Sequence, residues 1–390
     1  MNKYEVTETV QYAGVADSDL DLFESQYPVP NGVTYNSYVI LDDKTAVMDT
    51  VDARGTDQWL ASVEKILGGK KADYLVVSHM EPDHGANIAR FAKLHPETVI
   101  VGNAKTFPMI SQFFEMDMEG RSLVVKEGDT LSLGRHTLQF FMAPMVHWPE
   151  VMVTYEQTEK ILFSADGFGT FGTDSGLEEQ WSEEAARYYL NIVGKYGIQV
   201  QALLKKTAGL DIRIICPLHG PVLKENLGFY LEKYNKWSSY EAETHGVMIA
   251  CASIHGNTAR AAEELAQMLK DRGETQVEIV DLARTDVSYA VRKAFYYDRI
   301  VAASATYDGG LFPAMESFLH HLRAKNYQKR TVGLMENGSW APLAAKTMRT
   351  MFEGMKQIKV AEPAVTIRSA LDAGSREAMG RLADQLVQGE

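Results

Sequence analysis

The chain has 390 residues, 45% of them hydrophobic and 23% charged, and a formal net charge of -13 at pH 7. That length exceeds what one core usually organises, so two domains are expected, and the negative balance argues against a nucleic-acid backbone as partner. Cys216 and Cys251 lie in separate apolar runs, which excludes a disulfide framework and a tetrathiolate metal site; residues 1–6 lack the features of a secretory signal and no apolar run approaches the ~20 residues that span a bilayer, so a cytoplasmic protein with no membrane contact is expected.

Residues 34–49 read as two strands about a polar turn at 42–44. Trp59, Val63 and Leu67, four apart, mark one face of a helix that Gly68 and Gly69 stop. The run 74–78 then reads as a buried strand, and it delivers His79-Met80-Glu81-Pro82-Asp83-His84. Alternation along an extended chain would put His79, Glu81 and Asp83 on one side, and residues 83–85 can turn into the helix suggested by 86–91. A further strand is expected at 99–102 and short strands through 122–141.

Three more apolar runs end in the same way. Residues 138–146 lead to His147, 161–165 to Asp166 and 212–218 to His219, and turn residues follow each of the three. This recurrence predicts strand ends gathered at one rim of a sheet sandwich, where they make one site. His95 and His136 lack that context and are expected on the surface.

Seven such groups suffice for two metal ions. His79, Glu81 and His147 would serve one, Asp83, His84 and His219 the other, with Asp166 bridging. Each half has the two imidazoles and one carboxylate that suit non-haem Fe(II) and leave positions open. Three carboxylates favour a metal that turns ferric during turnover, while zinc takes the same ligands without redox chemistry.

A helix through Leu227, Tyr230, Leu231, Tyr234 and Trp237 leads to a polar stretch at 240–245, the expected boundary between domains 1–245 and 246–390. Beyond it a strand at 246–252 is followed by Ser253-Ile254-His255-Gly256-Asn257-Thr258 and a helix over 259–269. Strand, small polar loop and helix present backbone N–H groups to a phosphate. Neither a Walker sequence nor G-x-G-x-x-G is present, so a phosphate monoester fits better than a nucleotide triphosphate or NAD.

Four more β-α units follow, with strands near 277–280, 299–303, 331–334 and 360–367 and a closing helix over 376–387, which predicts a doubly wound parallel sheet of five strands, flavodoxin-like. Ser304, Ala305, Thr306, Tyr307, Asp308 and Gly309 form one loop at its carboxyl edge, and Asn337, Gly338, Ser339 and Trp340 another. Tyr307 and Trp340 are placed to flank a flat aromatic ligand, so the three loops together read as an FMN site.

With these motifs in order, the chain resembles the flavodiiron proteins (A-type flavoproteins) over nearly its whole length. The resemblance rests on His79-x-Glu81-x-Asp83-His84 with His147-Trp148-Pro149, Asp166 and His219, and on the loop 253–258. It implies an N-terminal metallo-β-lactamase-like αββα sandwich holding two non-haem Fe ions through the ligand sets above, with His84 the one ligand that some members leave off the metal. It also implies a C-terminal flavodoxin-like FMN domain. Glu81 departs from the zinc hydrolases of this fold, which typically carry His there. The implied activity is reduction of dioxygen to water, of nitric oxide to nitrous oxide, or both, with no nucleophilic side chain. The implied partners are an external electron donor, rubredoxin first and a reduced deazaflavin coenzyme second, and a second copy of the chain in a head-to-tail homodimer or dimer of dimers. With too few cysteines for an attached rubredoxin, the chain resembles the minimal two-domain type. Tyr196 is a further residue that could reach the irons. The alternatives are a zinc-dependent hydrolase of the same fold, against which Glu81 counts, and a pure electron carrier, which leaves seven convergent ligands without a task.

Overall fold

A computed structural model describes residues 4–173 and 178–388, and the chain divides into two compact units, Met1–Asn235 and Lys236–Glu390. The division falls before the polar stretch at 240–245. Those residues fold with the second unit: Tyr240 O accepts from Arg330 Nη1 at 2.8 Å and Tyr240 Oη accepts from Asn326 Nδ2 at 3.0 Å. Among the described residues no helix is long and apolar enough to cross a membrane.

Among the described residues the first unit is built, beside two short two-stranded pairs, on two large sheets. One runs in the order Val10–Tyr12, Tyr38–Ile40, Ala46–Met48, Tyr74–Val76, Val99–Gly102, Ser122–Val124. Its first three strands pair antiparallel and the rest parallel. The other runs Thr130–Ser132, Thr137–Met142, Met152–Glu156, Ile161–Phe163, Ile214–Cys216, antiparallel except for its last pair. Val10, Ile40, Met48, Val76 and Val101 of the first sheet share one apolar cluster with Leu138, Phe140, Met152, Phe163 and Cys216 of the second, so the two sheets form a sandwich. Thr56–Leu67 is the expected helix: Trp59, Leu60, Val63 and Leu67 are its buried residues, and Gly68, at φ 57°, closes it by donating its N–H to Glu64 O.

Two expectations change here. The strand Tyr74–Val76 stops before the ligand motif, and Asp83 and His84 sit in a one-turn helix, Pro82–Gly85, opened by Pro82. Strand alternation therefore does not aim Asp83, and the expected turn at 83–85 begins one residue earlier and carries it together with His84. His136 is buried, not exposed: its Nε2 lies 3.0 Å from Thr9 Oγ1 and its Nδ1 3.1 Å from the buried Glu156 carboxylate. The hydrogen bond from Nε2 to Thr9 and the nearby Glu156 carboxylate offset the burial of the ring. His95 is half-buried beside Glu64.

The second unit is a parallel sheet in the order Val277–Asp281, Thr244–Ala252, Tyr297–Tyr307, Arg330–Asn337, Ile358–Val360. The expected single strand over 360–367 is two pieces. Pro363 has no N–H for a sheet ladder, and Val365–Ile367 pairs afresh with Arg330–Asn337. Val247, Ile249, Val301 and Met335 pack against Leu265 and Leu269 of the helix Asn257–Asp271 and against Leu382 and Leu386 of the helix Ala373–Gln388.

Candidate functional site

The loops that follow strands of both sheets in the first unit converge. His79, Glu81, His147 and Asp166 place one ligand atom each within 4.8 Å of the others, and Asp83, His84 and His219 do the same. In the first set His147 Nε2 lies 3.0 Å from Glu81 Oε2 and 3.0 Å from Asp166 Oδ2, and His79 Nε2 lies 3.2 and 3.4 Å from the same two oxygens. In the second, His84 Nε2 and His219 Nε2 are each 3.3 Å from Asp83 Oδ2 and 3.0 Å from one another. Asp166 turns its other oxygen, Oδ1, to this set, at 3.4 Å from His84 Nε2 and 3.8 Å from His219 Nε2. One buried carboxylate thus faces both groups, an oxygen to each.

The donor set fits metal ions. Both carboxylate oxygens of Asp83 and of Asp166 are buried with no hydrogen-bond donor, an arrangement that leaves their lone pairs to a cation. Imidazoles and carboxylates without thiolate match a hard to borderline ion such as iron. The ring tautomers agree. His219 Nδ1 lies 2.7 Å from Thr34 O, which can only accept, so Nδ1 carries the proton and Nε2 is left as ligand. His79 Nδ1 likewise donates to Glu150 Oε1 at 2.7 Å. His84 Nδ1 is buried without a hydrogen-bond partner, so nothing comparable holds that ring.

Without cations the cluster holds protons instead. Burial opposes charge on His147, but the carboxylates of Asp166 and Glu81, each 3.0 Å from Nε2, outweigh it and raise the imidazole to about 9. Burial would raise Glu81, yet His147 and His79 bring it down to about 2. The same contest, burial against His79, His147 and His84, leaves Asp166 well below the ordinary carboxylate range. Metal entry must expel these protons.

Two residues behind the ligands carry no expectation from the sequence. Glu150, fully buried, accepts from Met80 N–H at 2.8 Å as well as from His79. Asp49 Oδ1 accepts from Ser78 N–H at 2.6 Å and from His79 N–H at 3.3 Å, fixing the backbone that carries the first ligand, and burial lifts its carboxyl to about 6. Asp49 follows the strand Ala46–Met48, so the strand-end pattern that singles out Asp166 also marks it; Glu150 is signalled only as an acid close after His147. Glu150→Gln keeps the shape and an accepting oxygen but removes the charge behind His79. Metal affinity is expected to drop about 10–100-fold, and chelator competition that returned wild-type affinity would contradict this.

Around the second set the walls are aromatic. Phe23, Tyr35 and Tyr188 ring His219 with centroids 5.3, 6.0 and 5.4 Å away. Burial, then the charges of Asp166 and Asp83, keep the Tyr188 hydroxyl protonated. Tyr196 stands at the start of the helix Gly197–Thr207 with Lys195 Nζ 5.8 Å from its ring. A cavity of about 260 Å³, lined by Phe23, Glu24, Tyr35 and Arg54 among others, has Glu81 of one set and Asp83 of the other in its wall.

In the second unit a hollow of about 260 Å³ opens where the three expected loops meet. Ile254, His255, Asn257, Thr258, Ala305, Thr306, Asp308, Gly309, Asn337, Gly338, Ser339 and Trp340 line it, joined by Ala341 and Ser369. The helix Asn257–Asp271 points its N-terminus there behind Gly256, at φ 89°, which suits a phosphate. Trp340, 87% exposed, offers a bare aromatic face. An isoalloxazine carrying a phosphate fits these groups. Ser253, Gly256, Ser304 and Tyr307 do not line the hollow. Ser253 Oγ accepts from Gly256 N–H at 3.1 Å and so builds the loop, Ser304 is buried with its hydroxyl donating to Ala305 O, and Tyr307 packs edge-on against Phe312 at 5.8 Å. Ser369 enters from the loop after Val365–Ile367, its Oγ 2.7 Å from Ser339 Oγ; a strand broken at Pro363 hides that loop from a sequence reading.

Comparison with known proteins agrees with this architecture. Residues 33–220 match a family described as ODP family beta lactamase and residues 248–369 a flavodoxin domain. The chain is 30% identical over 340 residues to the rubredoxin-oxygen oxidoreductase of Megalodesulfovibrio gigas, covering 84% of this chain and 83% of that one. It is 28% identical over 373 residues to a nitric oxide reductase of Moorella thermoacetica, covering 93% and 92%. The crystal structure of the flavodiiron protein from Giardia intestinalis superposes with a TM-score of 0.92 at 22% identity, over 98% of this chain and 96% of that one. A β-lactamase-type sandwich with paired ligand sets, followed by a flavodoxin sheet, and a relative of that identity and coverage together show that this chain belongs to the flavodiiron protein family.

Proposed function

We propose that the protein is an oxidoreductase that reduces dioxygen to water or nitric oxide to nitrous oxide at a diiron centre held by His79, Glu81, His147, Asp83, His84, His219 and Asp166, fed by FMN bound among the loops of the second unit. The observation that carries the reading is Asp166, whose two carboxylate oxygens each face a separate set of two imidazoles and a carboxylate. When bound, two Fe(II) ions and one reduced flavin supply four electrons, the number that takes dioxygen to two waters. Two electrons suffice to couple two nitric oxide molecules into nitrous oxide and water.

The chain's own residues prepare the place for that chemistry. Glu81 and Asp83 open to the access cavity while Asp166, His79 and His219 lie buried behind them, so a small molecule meets one flank of each set. Phe23, Tyr35 and Tyr188 keep bulk water from the second set. Glu150 and Thr34 hold His79 and His219 in the tautomer that leaves Nε2 free. Reducing equivalents come from an external donor, rubredoxin by analogy with the relative named a rubredoxin-oxygen oxidoreductase, or a reduced deazaflavin coenzyme. A head-to-tail homodimer in the cytoplasm completes the proposal and rests on the family resemblance.

The test is anaerobic. Protein loaded with iron and FMN is fully reduced, then mixed with dioxygen or nitric oxide in separate runs while flavin absorbance and product are followed. Rapid four-electron reoxidation with little peroxide, or sustained nitrous oxide formation, is expected, and the faster gas identifies the substrate. Slow reaction with both would overturn the reading, and natively produced protein holding stoichiometric zinc and no iron would overturn it in favour of the hydrolase.

A further inference from the structure

A second cavity borders the ligand loops, with none of its lining shared with the access cavity. It holds about 30 Å³ and is lined by Val146, Leu162, Phe168, Val200, Leu204 and Tyr234 among others. Val146 is the chain neighbour of His147, and Gly167 and Phe168 follow Asp166, so the cavity borders two of the loops that carry ligands. The helix Gly197–Thr207 closes it with Val200, Leu203 and Leu204.

Its few polar groups are engaged in local structure. Ser164 Oγ donates to Gly167 O at 2.6 Å, Thr207 Oγ1 donates to Leu203 O at 3.0 Å, and Tyr234 Oη accepts from Phe168 N–H at 2.6 Å. A water needs two to four polar partners and roughly 10–15 Å³, and an apolar hole that meets only the second condition stays dry and takes up apolar atoms instead. The space present admits one particle of diatomic size. Dioxygen and nitric oxide are such particles, and both partition from water into apolar surroundings.

We propose that this cavity is a dry holding site for the apolar diatomic substrate, from which the gas reaches the metal centre between the His147 and Asp166 loops. The proposal rests on the gas-reductase reading above, and its entry side is distinct from the polar access cavity lined by Glu81 and Asp83. The gain is local concentration: an apolar reservoir beside the centre raises the encounter rate at low dissolved gas without changing the chemistry that follows.

Crystals of the wild-type holoprotein pressurised with xenon test occupancy without turnover. An anomalous peak bordered by Val146, Phe168 and Leu204 is expected, and its absence overturns the proposal. Leu204→Trp fills the space from the partly exposed helix; Val200→Leu is a milder filling that serves if the first variant folds poorly. Either should remove the xenon peak and lower the second-order rate constant of the fully reduced protein with its gas, by about tenfold for the larger residue, with iron content, flavin content and the rate at saturating gas unchanged. Separate dioxygen and nitric oxide runs show which gas uses the site. A filled variant reacting as fast as wild type overturns the proposal. A xenon peak in a wild-type protein inert to both gases overturns the reductase reading and the cavity's role with it, and is told apart by the retained peak.

Discussion

Asp166→Ala is expected to leave the protein without metal at either ligand set and to lower gas reduction roughly a thousandfold, because an ion in such a site supplies several kcal/mol of stabilisation and about 1.4 kcal/mol is a factor of ten. Its two oxygens face one set each, so neither half is complete without it. The metal-free variant also reports on charge. In the wild type the raised His147 imidazole, at about 9, contributes stability that is complete below its unfolded value near 6.5 and is lost as pH climbs through 9. Glu81, depressed to about 2, contributes above its unfolded value near 4.5 and loses that contribution only as pH falls through 2. Removing Asp166 takes away a partner of the protonated imidazole. The melting temperature of the metal-free variant should therefore fall furthest below wild type at pH 6 and approach it at pH 9. A gap of equal size at both pH values would count against the proposed proton-holding cluster.

Gly256→Val is expected to abolish stoichiometric FMN binding while leaving the metal centre loaded. Gly256 sits at φ 89°, where an L-residue is strained by about 1–2 kcal/mol, and a Cβ there would meet no protein atom within 4 Å. The added isopropyl group meets open space, so the expected effect comes from the backbone and not from a clash. Strain that reshapes this turn displaces the backbone N–H groups at the start of the helix Asn257–Asp271 and should weaken FMN at least about 100-fold, each factor of ten being about 1.4 kcal/mol. Flavin fluorescence titration measures this, and iron analysis of the same sample separates it from unfolding. Retained tight FMN would show that the phosphate is held elsewhere.

The ligand motif was legible because metal chemistry needs rare residue types at tight spacing, and His79, Glu81, Asp83 and His84 supply four in six positions. The strand-end pattern carried His147, Asp166 and His219 as well, since a buried strand must hand its chain to a loop at the sheet rim. What aims each ligand was less legible. A helical turn begun by Pro82 re-aims Asp83 away from strand alternation, and that turn is set by backbone contacts such as Gly85 N–H to Glu81 O at 2.7 Å. Glu150 and His136 illustrate the remaining gap. Burial of an acid or an imidazole depends on partners far along the chain, His79 for one and Glu156 and Thr9 for the other, and no local pattern encodes that. Tyr307 shows the same for the flavin site, where its neighbour Phe312 draws the ring aside.

The ligands are divided between the two sheets of the sandwich. His79, Glu81, Asp83 and His84 follow a strand of one sheet, and His147, Asp166 and His219 follow strands of the other. An occupied centre is consequently a rivet through both layers. The layers cannot slide or part at that rim until the ions have gone, so metal loss becomes a gate on unfolding and holoprotein should persist kinetically even where its equilibrium stability is modest. The order of assembly follows in reverse: the pieces meet only once both sheets have formed and docked, so the chain folds first and receives its ions afterwards, as a finished lock receives a bolt.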